Sequence, residues 1–191
     1  MRKVGLTGII GSGKTTAAKY FKKLGIPVFI ADESAKKIMS SNSSVKSALI
    51  DMLGRSAYEN QEINKEYISD KIFNDHELLT SLNNLIHPEV QKDFDTWFKK
   101  QKGSYVVYEA ALIFENGSES LFDKIICVKT PMELINIRLM KRRNYSKQKI
   151  NKILDSQLSQ ELKCSKSDYC IDNITKDQLI SQINKIHSNL L

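Results

Sequence analysis

The segment from Gly8 to Thr15 constrains this chain more than any other, because it fits the pattern G-x-x-x-x-G-K-[ST] without a mismatch. The apolar run Val4–Thr7 before it predicts a buried strand. The pattern from Thr16 to Leu24 predicts a helix that ends at Gly25. Strand, glycine-rich loop and helix in this order are the setting that a phosphate-binding loop requires.

The residue types of this loop suit a nucleoside triphosphate. Glycines let backbone N–H groups close around phosphate, and the N-terminal end of the following helix is positively polarised. We expect Lys14 to reach the β- and γ-phosphates and the Thr15 hydroxyl to hold Mg²⁺. The predicted nucleotide contacts in the loop are Gly8, Gly11, Ser12, Gly13, Lys14, Thr15 and Thr16.

Five short apolar segments predict strands, and helical patterns separate them: Val4–Thr7, Val28–Ala31, Tyr105–Ala110, Ile125–Val128 and Tyr169–Ile171. This alternation predicts an α/β fold of the P-loop nucleoside triphosphate hydrolase type, a five-stranded parallel sheet flanked by helices. We expect one domain with a core of about residues 1–32, 103–131 and 160–191. The interval of about 33–102 predicts a helical substrate-binding insertion, with separate helices at Leu78–Ile86 and Glu89–Lys102. About 132–159 predicts a helical lid.

Two carboxylates follow predicted strands at the edge where ligands bind in such sheets. Asp32 could accept a proton from an attacking hydroxyl, or it could cap the helix that begins at Glu33. Glu109 could bind Mg²⁺ through water, or it could be a charge at a strand end. Position alone leaves both pairs of alternatives open.

Composition excludes several classes of protein. Hydrophobic residues make up 41% of the 191, and no apolar run is long enough to span a membrane. Met1 leads straight into the first strand, so we expect no signal peptide. The odd number of cysteines, without a C-x-x-C pair, argues against a disulfide framework or a structural zinc site, and Cys127 reads as a core residue. A cytoplasmic location is the simplest expectation.

The formal net charge of +7 is dispersed over lysine pairs and one cluster, Lys141-Arg142-Arg143. Solvated helix faces explain most of it, and no basic segment carries the aromatic residues of a nucleic-acid platform. A small anionic ligand is therefore favoured over nucleic acid. A guanine-nucleotide switch is disfavoured because no Asn-Lys-x-Asp tetrad occurs. The segment Asp51-Met52-Leu53-Gly54 fits D-x-x-G, but it follows a helical pattern, so we interpret Gly54 as the end of a helix.

Several short segments occur in a characteristic order along the chain, beginning with Gly5–Thr16 and with Leu24–Val28 followed by Ala31-Asp32. The series continues through Leu85–Pro88, Leu112–Glu115, Arg138–Arg142, Gln157 and Ile171–Asn173. With these segments, nearly the whole chain resembles the dephospho-CoA kinase family. The chain departs from the family pattern at Ile9, Ile30 and Ala111, and the departures at Ile9 and Ala111 bear on backbone shape near the substrate.

The resemblance implies that ATP phosphorylates the ribose 3′-hydroxyl of dephospho-CoA, with Mg²⁺ as cofactor. It implies catalytic roles for Asp32, Lys14 and Arg138, and an ATP contact for Arg142. Thr7, Asp32, His87, Leu112 and Glu115 would contact the acceptor. His87 could instead only end one helix before Pro88.

We expect no nucleic-acid or membrane partner, and a monomer or weak homo-oligomer. Two rival functions stay open. One is a kinase for another small metabolite or a nucleoside monophosphate. The other is a nucleic-acid-dependent ATPase, which steep salt-dependent binding to DNA or RNA would support.

Overall fold

The computed structural model describes residues 1–72, 75–141 and 146–191, apart from the side chains of residues 76 and 149. The strands are β1 Arg2–Thr7, β2 Val28–Ile30, β3 Tyr58–Glu59, β4 Glu62–Ile63, β5 Tyr105–Glu109, β6 Lys124–Lys129 and β7 Tyr169–Asp172. The helices are α1 Lys14–Lys23, α2 Ala31–Ser41, α3 Ser43–Leu53, α4 Lys65–Ile72, α5 His76–Phe98, α6 Met132–Met140, α7 Lys147–Asp155, α8 Gln160–Ser165 and α9 Lys176–Leu190. Short 3₁₀ turns lie at Arg55–Ala57 and Glu119–Leu121.

The main sheet has five parallel strands in the order β2-β5-β1-β6-β7, which confirms the predicted fold class. Leu6 pairs in register with Glu109, Thr7 with Cys127, and Lys129 with Asp172. The strands are largely apolar because helices cover a parallel sheet on both faces. Their carboxyl ends share one edge, which is where ligands bind in such sheets.

The chain divides into two compact units, residues 1–30 with 101–191 and residues 31–100. The first unit contains the five-stranded sheet with α1 and α6–α9. The side chain of Thr175 caps α9 by accepting a hydrogen bond from Gln178 N. One face of α9 then packs into the core through Leu179, Ile183, Ile186 and Leu190.

The second unit contains α2–α5 and the two-stranded β3–β4 hairpin. Gly54 ends α3, as expected. The predicted break before Pro88 is wrong, because α5 runs without interruption through Pro88. Proline removes one helical hydrogen bond. A single buried stripe of Leu82, Ile86, Val90 and Phe94 continues past it and favours one continuous helix.

The expectation of no disulfide is wrong, because Cys164 and Cys170 are bonded. Their Cα atoms lie 5.4 Å apart, where the end of α8 meets β7. The spacing of these residues gives no recognisable pattern, so only the three-dimensional structure brings them together. Cys127 is a free, buried thiol in β6, as expected, and burial raises its pKa to about 11.

These cysteines make a labelling prediction. Protein purified without reductant should incorporate no iodoacetamide at pH 8, because the thiolate is the reactive form and Cys127 is both buried and protonated. A phosphine reductant should release two reactive thiols at Cys164 and Cys170, and added guanidinium should expose the third. Mass spectrometry of the intact protein counts the adducts. Two adducts before reduction would contradict the disulfide.

Candidate active site

The glycine-rich loop joins β1 to α1 at the carboxyl edge of the sheet. Gly13 stands at the N-cap of α1 with φ +98°, a backbone conformation that favours glycine. A Cβ on Gly8 would collide with the Val128 carbonyl oxygen, so the loop packs directly on the backbone of β6. The loop backbone therefore has the shape and the close packing that the motif predicts.

Lys14 is the first residue of α1, and its ammonium group lies back over the loop. Its Nζ donates to the Gly8 carbonyl at 2.9 Å and to the Ile9 carbonyl at 3.2 Å. The lysine charge is thus held at the glycine-rich loop, beside the positive end of a helix. This arrangement suits the binding of a polyphosphate.

The Ser12 carbonyl of the loop accepts hydrogen bonds from three side chains, of which Arg138 Nη1 is the most distant at 3.5 Å. Thr130 Oγ1 and Asn173 Nδ2 each donate to it at 2.7 Å. Thr130 follows β6 and Asn173 follows β7, and both are buried, as is Ser12. Gln160 of α8 fixes Thr130 in turn, because its amide bonds both the N–H and the carbonyl of that residue.

Sequence reasoning missed Thr130 and Gln160. A lone threonine after a strand and a glutamine near a helix start carry no pattern that separates them from surface residues. The family resemblance included Asn173 but assigned it no role.

The Arg138 guanidinium lies on the same part of the loop. Nη1 is 3.3 Å from the Gly11 carbonyl and 3.3 Å from Thr130 Oγ1, and Nη2 is 3.3 Å from the Asn173 carbonyl. Arg138 is thus a part of the loop's surroundings in this structure, and its contact with a phosphate stays a prediction. Arg142, the other predicted arginine, lies outside the described residues.

Asp32 stands in the first turn of α2, which begins at Ala31 directly after β2. Because the helix starts before Asp32, the residue does not cap it, and that alternative is wrong. The side chain of Asp32 is exposed at the N-terminal end of the helix. The position leaves Asp32 available for a ligand in solvent.

His87 lies within α5, not at a helix end, so its purely helix-ending alternative is also wrong. The side chain reaches solvent, and partial desolvation by its surroundings lowers the pKa of the imidazole below its usual value. Neutral imidazole both donates and accepts hydrogen bonds. Its predicted contact with the acceptor stays a prediction.

Glu115 belongs to a buried network in the segment after β5. Its Oε1 lies 2.7 Å from Lys163 Nζ and accepts a hydrogen bond from Leu158 N at 2.8 Å. Lys163 is fully buried, and its Nζ also donates to the Ala111 carbonyl at 2.7 Å, where Thr7 Oγ1 donates at 3.1 Å. Glu115 and Thr7 thus have protein partners here. The predicted substrate contacts of Thr7, Leu112 and Glu115 stay predictions.

Replacement of Lys163 by methionine should lower the free energy of unfolding by about 3 kcal/mol, because it leaves the Glu115 carboxylate buried without its cation. Denaturant titration measures this. The double variant Lys163→Met/Glu115→Gln should recover most of the loss, while Lys185→Met, at an exposed lysine of α9, should change little. Equal losses in the single and double variants would refute an ion-pair effect.

The residues at this edge fit a magnesium ion that is held mainly by a nucleotide. Mg²⁺ takes oxygen ligands and usually keeps waters and substrate phosphates. The exposed Thr15 follows Lys14 in α1, and the buried Glu109 ends β5 beside Leu6. Within the described parts of the chain, no group of three or more His, Cys, Asp and Glu side chains could hold a metal ion alone.

A parallel sheet with a G-x-x-x-x-G-K-T loop between its first strand and helix defines a P-loop nucleotide-binding protein. A solved Thermus thermophilus protein shares this fold, with a TM-score of 0.89 and 24% identity over 100% of this chain and 97% of that one.

The family model for dephospho-CoA kinase matches residues 2–178. A dephospho-CoA kinase of Bartonella quintana is 35% identical over 196 residues, which covers 100% of this chain and 99% of the relative. The solved dephospho-CoA kinase of Campylobacter jejuni is 25% identical with a TM-score of 0.63, and the match covers 99% and 97% of the two chains. This chain belongs to the dephospho-CoA kinase family.

Proposed function

We propose that this protein transfers the γ-phosphoryl group of ATP to the ribose 3′-hydroxyl of dephospho-CoA and so forms coenzyme A. The observation that carries the proposal is the glycine-rich loop with Lys14 folded over it, in a chain that the family model matches over residues 2–178. The loop supports the use of a nucleoside triphosphate, and family membership supports the acceptor.

On the donor side, Lys14 and the loop amides would bind the phosphates and offset the charge of the transferring group. Mg²⁺, when bound with the nucleotide, would supply further neutralisation of the phosphate oxygens, and the Thr15 hydroxyl would help to hold it. Arg138 would leave some of its carbonyl contacts for a phosphate oxygen, since a charged acceptor forms the stronger hydrogen bond. Gly8, Gly11, Ser12, Gly13, Thr16 and Arg142 complete the proposed ATP site.

On the acceptor side, Asp32 would orient the 3′-hydroxyl and take its proton. The exposed position of Asp32 in the first turn of α2 supports this role. Residues 31–100 would hold the rest of the acceptor, with His87 among the contacts, and Thr7, Leu112 and Glu115 would line its site. The helices within 132–159 would act as a lid that excludes water and suppresses ATP hydrolysis.

We further infer a cytoplasmic enzyme that is a monomer or weak homo-oligomer and has no nucleic-acid or membrane partner. Its use of ATP supports the location, and the dispersed charge supports a small anionic ligand. No helix in the described ranges is long and apolar enough to cross a membrane.

The deciding experiment measures ADP release by purified protein with ATP and Mg²⁺ in the presence of single acceptors. The panel contains dephospho-CoA, shikimate, nucleoside monophosphates, DNA and no acceptor. Release that requires dephospho-CoA, with coenzyme A identified by mass spectrometry, is the expected result. Release only with shikimate or a nucleoside monophosphate would move the function to another small-metabolite kinase, and release only with DNA would favour a nucleic-acid-dependent ATPase.

A further inference from the structure

The Ser12–Gly13 peptide is the part of the loop whose direction the surrounding protein controls most tightly. Its carbonyl oxygen accepts the two 2.7 Å hydrogen bonds from Thr130 Oγ1 and Asn173 Nδ2. In a trans peptide the carbonyl and the N–H point in opposite directions. Donors that fix the Ser12 carbonyl therefore also fix the Gly13 N–H, at the N-cap of α1.

We infer that Asn173 and Thr130 are positioning residues for nucleotide binding, which they support by aiming and polarising the Gly13 N–H from behind the loop. The inference rests on the proposed use of ATP at this loop. Neither side chain touches the phosphate in this role. Each acts through the Ser12–Gly13 peptide of the glycine-rich loop.

Three further observations support this role. A Cβ on Gly13 would overlap the Asn173 amide, so that side chain lies directly against the loop backbone. Asn173 N donates to the Lys129 carbonyl at 2.7 Å, which ties the ends of the paired strands β6 and β7 together. Thr130 Oγ1 has one proton to donate, and it lies 2.7 Å from the Ser12 carbonyl oxygen against 3.2 Å from the Asn173 carbonyl oxygen, so the Ser12 carbonyl is its shorter contact.

The energetics favour an effect on the ligand as well as on the fold. Two donors on one carbonyl polarise its peptide, which strengthens the opposite N–H as a donor to an anion. Ser12, Thr130 and Asn173 are buried, where such effects are larger than in water. Loss of one donor should let the peptide rotate and should weaken phosphate binding.

The test compares Thr130→Val with Thr130→Ser, because valine keeps the shape and removes the hydroxyl while serine keeps the hydroxyl. Titration calorimetry without acceptor measures the Kd for ATP with Mg²⁺. We expect Kd to rise about 10-fold in Thr130→Val, the value of one good hydrogen bond, and to stay within about 2-fold in Thr130→Ser. Asn173→Asp, which places a carboxylate against the carbonyl, should raise Kd by at least as much.

Gln182→Leu is the matched control for a purely structural effect. Gln182 of α9 makes two hydrogen bonds to the backbone of Asp172, the last residue of β7, and makes none to the glycine-rich loop. The Gln182→Leu variant should lower Tm without changing the Kd for ATP.

Steady-state kinetics give a second readout for Thr130→Val, which should show a higher KM for ATP and an unchanged KM for the acceptor.

Folded Thr130→Val with a wild-type Kd, or Gln182→Leu with an equally weakened one, would overturn the inference. If Asn173→Asp does not fold, the Thr130 pair decides. ATP binding is measured without any acceptor. A wild-type protein that ignores dephospho-CoA but binds ATP would therefore reject the proposed acceptor and leave this comparison valid.

Discussion

Replacement of Asp32 by asparagine should lower kcat about 10²–10⁴-fold, the usual loss when a general base is removed. The amide has almost the size of the carboxylate but cannot take a proton from the acceptor hydroxyl. Because Asp32 is exposed and is not the cap of α2, the substitution should leave the fold and ATP affinity nearly unchanged. Steady-state kinetics with dephospho-CoA and calorimetry with ATP measure the two effects separately.

The neighbouring Glu33 offers a matched control for this substitution. It is an exposed carboxylate in the same first turn of α2, so Glu33→Gln removes the same charge from the same helix end. We expect kcat in Glu33→Gln to stay within about 2-fold of wild type, since loss of an exposed charge near a helix end is worth only about 0.3–1 kcal/mol. Equal kinetics in the two variants would show that Asp32 contributes only its charge to the helix.

Replacement of Lys14 by alanine should reduce kcat/KM for ATP by about 10²–10³-fold, as does the removal of one preorganised donor from a developing charge. The ammonium group of Lys14 lies at the loop, within hydrogen-bond distance of the Gly8 and Ile9 carbonyls. Loss of these two bonds should cost stability only modestly, about 1–2 kcal/mol. Kinetics and denaturant titration together separate the effect on chemistry from the effect on the loop.

Lys19→Ala is the control for the Lys14 variant. Lys19 is exposed on the same helix α1, so its loss changes net charge and helix composition equally without touching the loop. Kinetics close to wild type are expected there. A Lys14→Ala protein with unimpaired turnover would reject the assignment of this loop to phosphate binding.

The loop and the sheet could be predicted because their signals are local. The G-x-x-x-x-G-K-T pattern lies within eight residues, and each strand is a short apolar run, so one window of sequence contains the information. The ends of the five predicted strands lie within two residues of those of β1, β2, β5, β6 and β7.

The wrong or missing predictions mostly concern features that depend on residues far apart in the sequence. The stripe through Ile86 and Val90 continues α5 past Pro88, although proline and its neighbour disfavour helix locally. The β3–β4 hairpin turns at Asn60 and Gln61, which both adopt positive φ; asparagine is common in that conformation, but glutamine is not. The partners of Glu115 and Ser12 lie far along the chain, at Lys163 and Asn173.

The order of strands in the sheet has a consequence for how the chain folds. Leu6 of β1 pairs with Glu109 of β5, although all of residues 31–100 lie between them in the sequence. The other neighbour of β1 in the sheet, β6, comes later still in the sequence. During synthesis β1 therefore leaves the ribosome without a strand to pair with. Residues 31–100 form a continuous stretch of chain whose contacts are closer in sequence, and such contacts form sooner. We expect the helical unit to form first and the assembly of the sheet to set the folding rate, because closing so long a loop costs entropy before any pairing repays it.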